Sequence, residues 1–191
     1  MKKIFAIFTI LTIFTAAAFT QSDPEIPAGQ QILFDGFEKG NYWIWAGFDW
    51  DQYGSHKIST GADISRDWAS EGKHSLKMSM EVMDKDSTKS GIWFYDGTND
   101  ISGAKYLVMD FYNPEKDYVY DINVVIQATS GWNWWSLQHY NLRPGVHTFV
   151  FDLSAHPERL NDVRRISIYN NSSAILMHES SIYVDNIRII K

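Results

Sequence analysis

From Trp132 to Tyr140 the chain reads Trp-Asn-Trp-Trp-Ser-Leu-Gln-His-Tyr, flat aromatic rings interleaved with amide and hydroxyl groups. Residues of these types recognise a ligand rather than break bonds in it. A pyranose offers an apolar CH face that stacks on an indole or phenol, and an edge of hydroxyls that exchange hydrogen bonds with Asn, Gln or Asp. Eight tryptophans in 191 residues exceed what a core of this size requires. The competing use of each ring is to fill the interior, because Trp is mostly buried and aromatics favour strands. Strand phase decides between the two.

Reactive constellations are missing from the sequence. Glycoside hydrolysis needs two carboxylates flanking the bond, one of them in a dry pocket. Here Asp84, Asp86, Asp96, Asp100, Glu115 and Asp117 fall in turns, where solvated carboxylates are the rule. There is no Gly-x-Ser-x-Gly, no His-Glu-x-x-His and no phosphate loop. His56, His74, His139, His147, His156 and His178 are scattered without metal-ligand spacing. The reading is therefore a non-enzyme. A formal net charge of -6 and the lack of a basic stripe argue against a nucleic-acid partner.

The elements that must position the rings come next. Met1, Lys2 and Lys3 precede an apolar run from Ile4 to about Phe19, followed by small residues and Gln21-Ser22, the pattern of a secretory signal peptide over residues 1–22. The run is interrupted by threonines and is short for a membrane span, so no membrane association is expected after cleavage. The chain has no Cys, hence no disulfide, and a secreted chain without disulfides suggests a bacterial periplasm, cell surface or exterior. Residues 23–31, with Pro24, Pro27 and Gly29, read as an extended lead-in. Residues 32–191 then form one domain, of a size suited to a single core.

Glycine, Asn-Pro and Pro-Gly punctuation separates short runs of Val, Ile, Phe, Tyr and Trp. Strands are expected at 32–37, 75–83, 91–95, 106–112, 121–128, 134–141, 147–153, 165–169 and 181–190, with a single helical turn around 156–161. This predicts an all-β fold, a two-sheet antiparallel β-sandwich of the jelly-roll kind. Alternation sends Leu107, Met109, Phe111, Ile122, Val124, Ile126, Ile92, Phe94, Trp135, Leu137, Ile166 and Ile168 inward. Outward go Trp93 and Tyr95; Asp121, Asn123 and Gln127; Trp134, Gln138 and Tyr140; and Tyr169. If their strands are neighbours, these nine line a cleft in which Trp93, Tyr95 and Trp134 stack on sugar faces while Asn123, Gln127 and Gln138 bond hydroxyls. Asp110 and Asp121 are outward acceptors. Trp43, Trp45, Trp50, Tyr53 and Trp68 are rim candidates, with Trp43 and Trp45 alternatively one strand's core face.

Phe34-Asp35-Gly36-Phe37-Glu38 and Trp68-Ala69-Ser70-Glu71-Gly72-Lys73-His74-Ser75-Leu76-Lys77-Met78 resemble the opening of the jelly-roll carbohydrate-binding modules attached to bacterial polysaccharide-degrading enzymes. Tyr106 to Pro114, Leu142-Arg143-Pro144-Gly145 leading into Phe149 to Leu153, and the ending Ile182 to Ile187 extend the resemblance over nearly the whole mature chain. It implies a polysaccharide or oligosaccharide partner on a concave sheet. It also implies a structural Ca²⁺ between Glu38 and Asp185, with carbonyls from the turn at Glu71 to Lys73 and with Asp35 competing for the place of Glu38. The monomer expected here has a rival, a structural or assembly jelly roll that uses its aromatic face for protein contacts.

Overall fold

The computed structural model describes residues 22–40, 43–46, 60–80, 90–94, 98–170 and 180–191; within these, 44–46, 60–61, 80 and 90–94 are described by their backbone alone. The expected signal segment up to residue 21, Trp50, Tyr53 and Tyr95 lie outside the described residues.

Strands dominate. In chain order they are β1 (Gln31–Asp35), β2 (Trp43–Ala46), β3 (Thr60–Ser65), β4 (Ser75–Met80), β5 (Ser90–Phe94), β6 (Tyr106–Asn113), β7 (Tyr120–Ala128), β8 (Asn133–Leu142), β9 (Gly145–Asp152), β10 (Val163–Asn170) and β11 (Ser180–Ile190). Among the described residues a single 3₁₀ turn, Pro157–Arg159, falls where one helical turn is expected. One sheet runs β3-β4-β11-β6-β9 with β1 also paired to β11; the other runs β2-β5-β10-β7-β8. The strand pairs in both are antiparallel. The fold is the expected β-sandwich, and β2 and β3 are additions to the strands read from the sequence.

Period-two alternation builds the core. Leu107, Met109 and Phe111 of β6 meet Ile122, Val124 and Ile126 of β7 and Ile166 and Ile168 of β10, all fully buried between the sheets. Each such side chain contributes roughly 1.5–3 kcal/mol by leaving water. Trp43 belongs to this interior, packed on Phe37 and donating its indole N–H to Asp35 Oδ2 at 2.9 Å. Of its two readings, the core face is the one found.

The outer face of the six-stranded sheet is itself covered. Val108, Val150 and Ile190 form a second small apolar cluster there, with Tyr106 against it. Its cover is the lead-in. Asp23 accepts from the Thr148 backbone N–H at 3.1 Å and pairs with His147 Nδ1 at 2.7 Å, and Gln30 exchanges backbone hydrogen bonds with Lys191. On the same face Trp68 stacks on Tyr112 at 5.5 Å and meets Tyr183 at 6.4 Å. Trp68 is thus on the opposite side of the molecule from the aromatic run of β8 and is no part of its rim.

Candidate functional site

Strand order decides which predicted residues meet. β5, β10, β7 and β8 are consecutive, so the strands carrying Trp93, Tyr169, Asn123 and Gln138 are neighbours in one sheet. Register then arranges the outer face in rows. Trp134, Gln127 and Arg165 make one row; Ser136, Val125, Ser167 and the backbone position of Trp93 make the next; His139, Asn123, Tyr169 and Gly91 follow, then Asn141 and Asp121. Trp134 is 66% exposed on the edge strand, with Gln127 partly exposed beside it. At the β7–β8 turn Trp132 reaches positive φ, and its indole lies 5.3 Å from the Arg165 guanidinium and 5.8 Å from that of Arg164.

A bulge corrects half of the β8 assignment. Asn123 pairs with His139 but Val125 with Ser136, so β8 carries one residue more than β7 across this step. Phase reverses there. Trp135 and Leu137 are buried as expected, yet beyond the bulge Tyr140 and Leu142 turn inward and His139 and Asn141 turn outward. Tyr140 stacks on Phe149 at 4.5 Å, meets Phe151 edge-on, and donates to the Val150 carbonyl at 2.5 Å. It is a core-side ring, not a sugar plate. Gln138 sits at the bulge and leans over β9, donating to the same carbonyl at 2.7 Å and accepting from Asp152 N–H at 3.2 Å. Its amide is spent on the open edge of β9 rather than on the face.

Asn123 is also spent. It is 4% exposed, and its amide donates to Ser136 Oγ and to the Leu137 carbonyl, both at 2.9 Å, stitching the bulge shut. Asp121 remains at the surface, with His139 Nδ1 2.9 Å from one of its oxygens. Burial pushes the Tyr169 phenol up, while the Ser167 hydroxyl and the Arg165 charge pull it partway back. Asp110 is the remaining correction. It is buried on the other sheet, accepting from Thr148 Oγ1, Ser70 Oγ, Asn186 Nδ2 and the Arg188 guanidinium. His139, Asn141, Arg165 and Trp132 join the face without having been expected there. Arg165 was readable by simple alternation with Ser167 and Tyr169; His139 and Asn141 were hidden by the bulge.

The family described as "Mannanase, galactose-binding domain-like" matches residues 36–186, most of the chain. The protein belongs to this family. Among solved structures it is similar to carbohydrate-binding modules of the β-sandwich superfamily, with 14% identity, a TM-score of 0.65, and coverage of 83% of this chain and 62% of that one. It is similar to the family 11 carbohydrate-binding module of a Clostridium thermocellum cellulosomal cellulase, at 11% identity, TM-score 0.62, covering 86% of this chain and 96% of the module. It is likewise similar to Caldicellulosiruptor saccharolyticus CBM27-1, solved in complex with mannohexaose, at 16% identity, TM-score 0.58, covering 85% and 98%. None of the curated proteins matches the sequence. The family membership agrees with the jelly-roll module resemblance.

Within this mannanase galactose-binding-like domain, the two carboxylates expected at a calcium site converge on one turn, and that turn offers them the wrong donors. Asp185 Oδ2 accepts from the backbone N–H of Ser70 at 2.8 Å and of Glu71 at 3.0 Å, while its Oδ1 accepts from Asn186 N–H at 2.7 Å. Glu38 Oε1 accepts from the N–H of Lys73 at 2.5 Å and of His74 at 2.8 Å, and its Oε2 faces His74 Nδ1 at 2.9 Å. Ca²⁺ takes six to eight oxygens. Here N–H groups stand where carbonyl oxygens would be needed, and among the described residues no three His, Cys, Asp or Glu side chains are grouped to hold a metal. The arrangement does not fit the ion. The hydrogen bonds hold the Glu38 carboxyl down to about 2, the Lys73 N–H acting most strongly. Asp35 is occupied by Phe37 N–H and the Trp43 indole, so it does not contend for the place of Glu38.

Proposed function

We propose that this protein is a secreted, non-catalytic carbohydrate-binding protein, a monomer that holds a polysaccharide or oligosaccharide across the outer face of its five-stranded sheet. The observation that carries the reading is the exposure of Trp134: a large indole, 66% open to solvent, on the sheet edge beside Gln127. An apolar ring of this size held out of the core by strand alternation has a surface to offer, and a sugar CH face matches it. Gln127, Asp121, Asn141 and Ser136 supply donors and acceptors on the same face. Solved neighbours with this fold include modules in complex with a mixed-linked β-1,3-1,4 tetrasaccharide and with mannohexaose. A shallow, wet site of this kind gives dissociation constants on the order of micromolar to millimolar.

Trp134→Ala tests it. Affinity electrophoresis through soluble polysaccharides should show retardation of the wild type and none of the variant, with the melting temperature almost unmoved. A wild-type protein that ignores every glycan and runs as an oligomer in native mass spectrometry refutes the reading in favour of assembly through the same face. Cleavage within residues 18–22, read by mass spectrometry of the mature N-terminus, tests secretion.

A further inference from the structure

Exposure on the outer face of the five-stranded sheet is uneven, and it follows one strand. β8 is an edge strand, and its outward residues Trp134, Ser136, His139 and Asn141 are all exposed, the His139 side chain at 53%. One strand further in, on β7, Gln127, Val125 and Asp121 are half-buried and Asn123 is buried. On β10, the next strand, Ser167 is fully buried between half-buried Arg165 and Tyr169. A polymer laid across the strands from β8 towards β10 would pass over Asn123 and Ser167, which present almost no surface. One laid lengthwise along β8 meets an exposed side chain at every outward position. The chemistry changes along this line. Trp134 offers an apolar plate at one end, Ser136 is small, and beyond the bulge His139 and Asn141 add an imidazole and an amide. Asp121 lies 2.9 and 3.2 Å from His139 Nδ1 and steadies the ring, which leaves Nε2 to meet a hydroxyl. With one residue taken up by the bulge, Trp134 and Asn141 stand about 20 Å apart at the usual rise of a strand.

We infer that the glycan lies lengthwise along β8, stacked on Trp134 at one end and hydrogen-bonded by His139 and Asn141 at the other, so that the site selects extended chains over mono- and disaccharides. The inference rests on the carbohydrate-binding reading and fixes the ligand's track and length class. A disaccharide reaches one end of the line only. A longer chain anchored on Trp134 brings its far sugars to His139 and Asn141 without a second encounter, so the polar end adds affinity that short ligands do not gain. His139 and Asn141 are then specificity-determining residues, brought to the face by the bulge that Asn123 stitches shut from below.

Affinity electrophoresis of the full mature chain through galactomannan, mixed-linked β-1,3-1,4-glucan and xylan identifies a polymer that retards it. Titration calorimetry then compares the disaccharide and the hexasaccharide of that polymer. Wild type should bind the hexasaccharide about tenfold more tightly or better. His139→Ala and Asn141→Ala should each weaken the hexasaccharide about fivefold, the worth of one hydrogen bond, and leave the disaccharide as it was. Both sites are exposed, and circular dichroism melts should match wild type. Ser167→Ala, on the strand that a crosswise chain would pass over, should change neither affinity. A disaccharide bound as tightly as the hexasaccharide, a His139→Ala/Asn141→Ala double variant with wild-type hexasaccharide affinity, or a loss in Ser167→Ala equal to that in the β8 variants overturns the inference alone. Retardation by none of the three polymers overturns the carbohydrate-binding reading and takes the inference with it.

Discussion

Trp134 and Trp135 leave β8 on opposite sides, the first 66% exposed and the second 7% exposed, edge-on to His156 at 5.1 Å with the Arg159 guanidinium nearby. Their alanine variants should separate function from stability. Trp135→Ala empties a core site and should destabilise by about 3–5 kcal/mol in urea unfolding. Trp134→Ala should stay within about 0.5 kcal/mol of wild type, as exposed substitutions do. Equal losses would place both rings in the interior. Asn123 shows the opposite lesson. Its type and its outward position suit a sugar-binding amide, yet a bulge next door claims both of its N–H groups. Asn123→Ala leaves the Leu137 carbonyl short of a partner in a buried setting and should cost about 1–3 kcal/mol of stability, measured by denaturant midpoint. The residue types were legible in the sequence; their commitments to backbone groups were not, because those depend on which carbonyls the fold brings within 3 Å.

At the scale of elements, phase was readable wherever alternation ran uninterrupted and failed at irregularities. β6, β7 and β10 place their aliphatic residues as simple alternation requires. β8 does so up to Leu137, and nothing in Leu137-Gln138-His139 announces the extra residue that reverses the face for Tyr140. The turn between β3 and β4 is a second element whose chemistry only the structure gives. Gly72 sits there at φ 71°, and a Cβ at this position would run into the Glu38 carboxylate. Gly72→Ala should therefore destabilise by about 1 kcal/mol or more, from left-handed strain together with loss of the Glu38 contact. The same contact has a pH signature. Glu38 titrates at about 2 in the folded chain against an ordinary 4.5, so its contribution is complete above the unfolded value and disappears as pH falls from 4.5 towards 2. Glu38→Gln should flatten the stability-against-pH curve in that window, and a variant that acid-unfolds with the wild-type slope refutes the assignment. Because the turn holds both carboxylates through N–H groups, the melting temperature should be the same with calcium and with chelator; a rise on adding calcium would show oxygen ligands arranged otherwise.

For the molecule as a whole, the open edge of β9 and the outer face of the six-stranded sheet are closed by different devices. Gln138 and Tyr140 hang from β8 onto the backbone of β9, satisfying Val150 O and Asp152 N–H where a further strand would otherwise add. The lead-in, readable as extended from its prolines but silent about its docking place, crosses to β9 and is held there by Asp23. At its other end it pairs with Lys191, and Gly29 lies against Ile190. These anchors stand on either side of Val108, Val150 and Ile190, which are 0–6% exposed although they point away from the main core. A sheet face open to water does not bury valines so completely, so the strap supplies their cover. Asp23→Ala removes a carboxylate that holds one backbone N–H and one imidazole. It should lower stability by about 1 kcal/mol, the worth of a partly exposed pair with one hydrogen bond. Hydrogen exchange should show the consequence at Thr148, whose N–H loses its acceptor, before any change in β7 or β10 amides. Protection at Thr148 equal to wild type would mean that the lead-in is held by its glycine end alone.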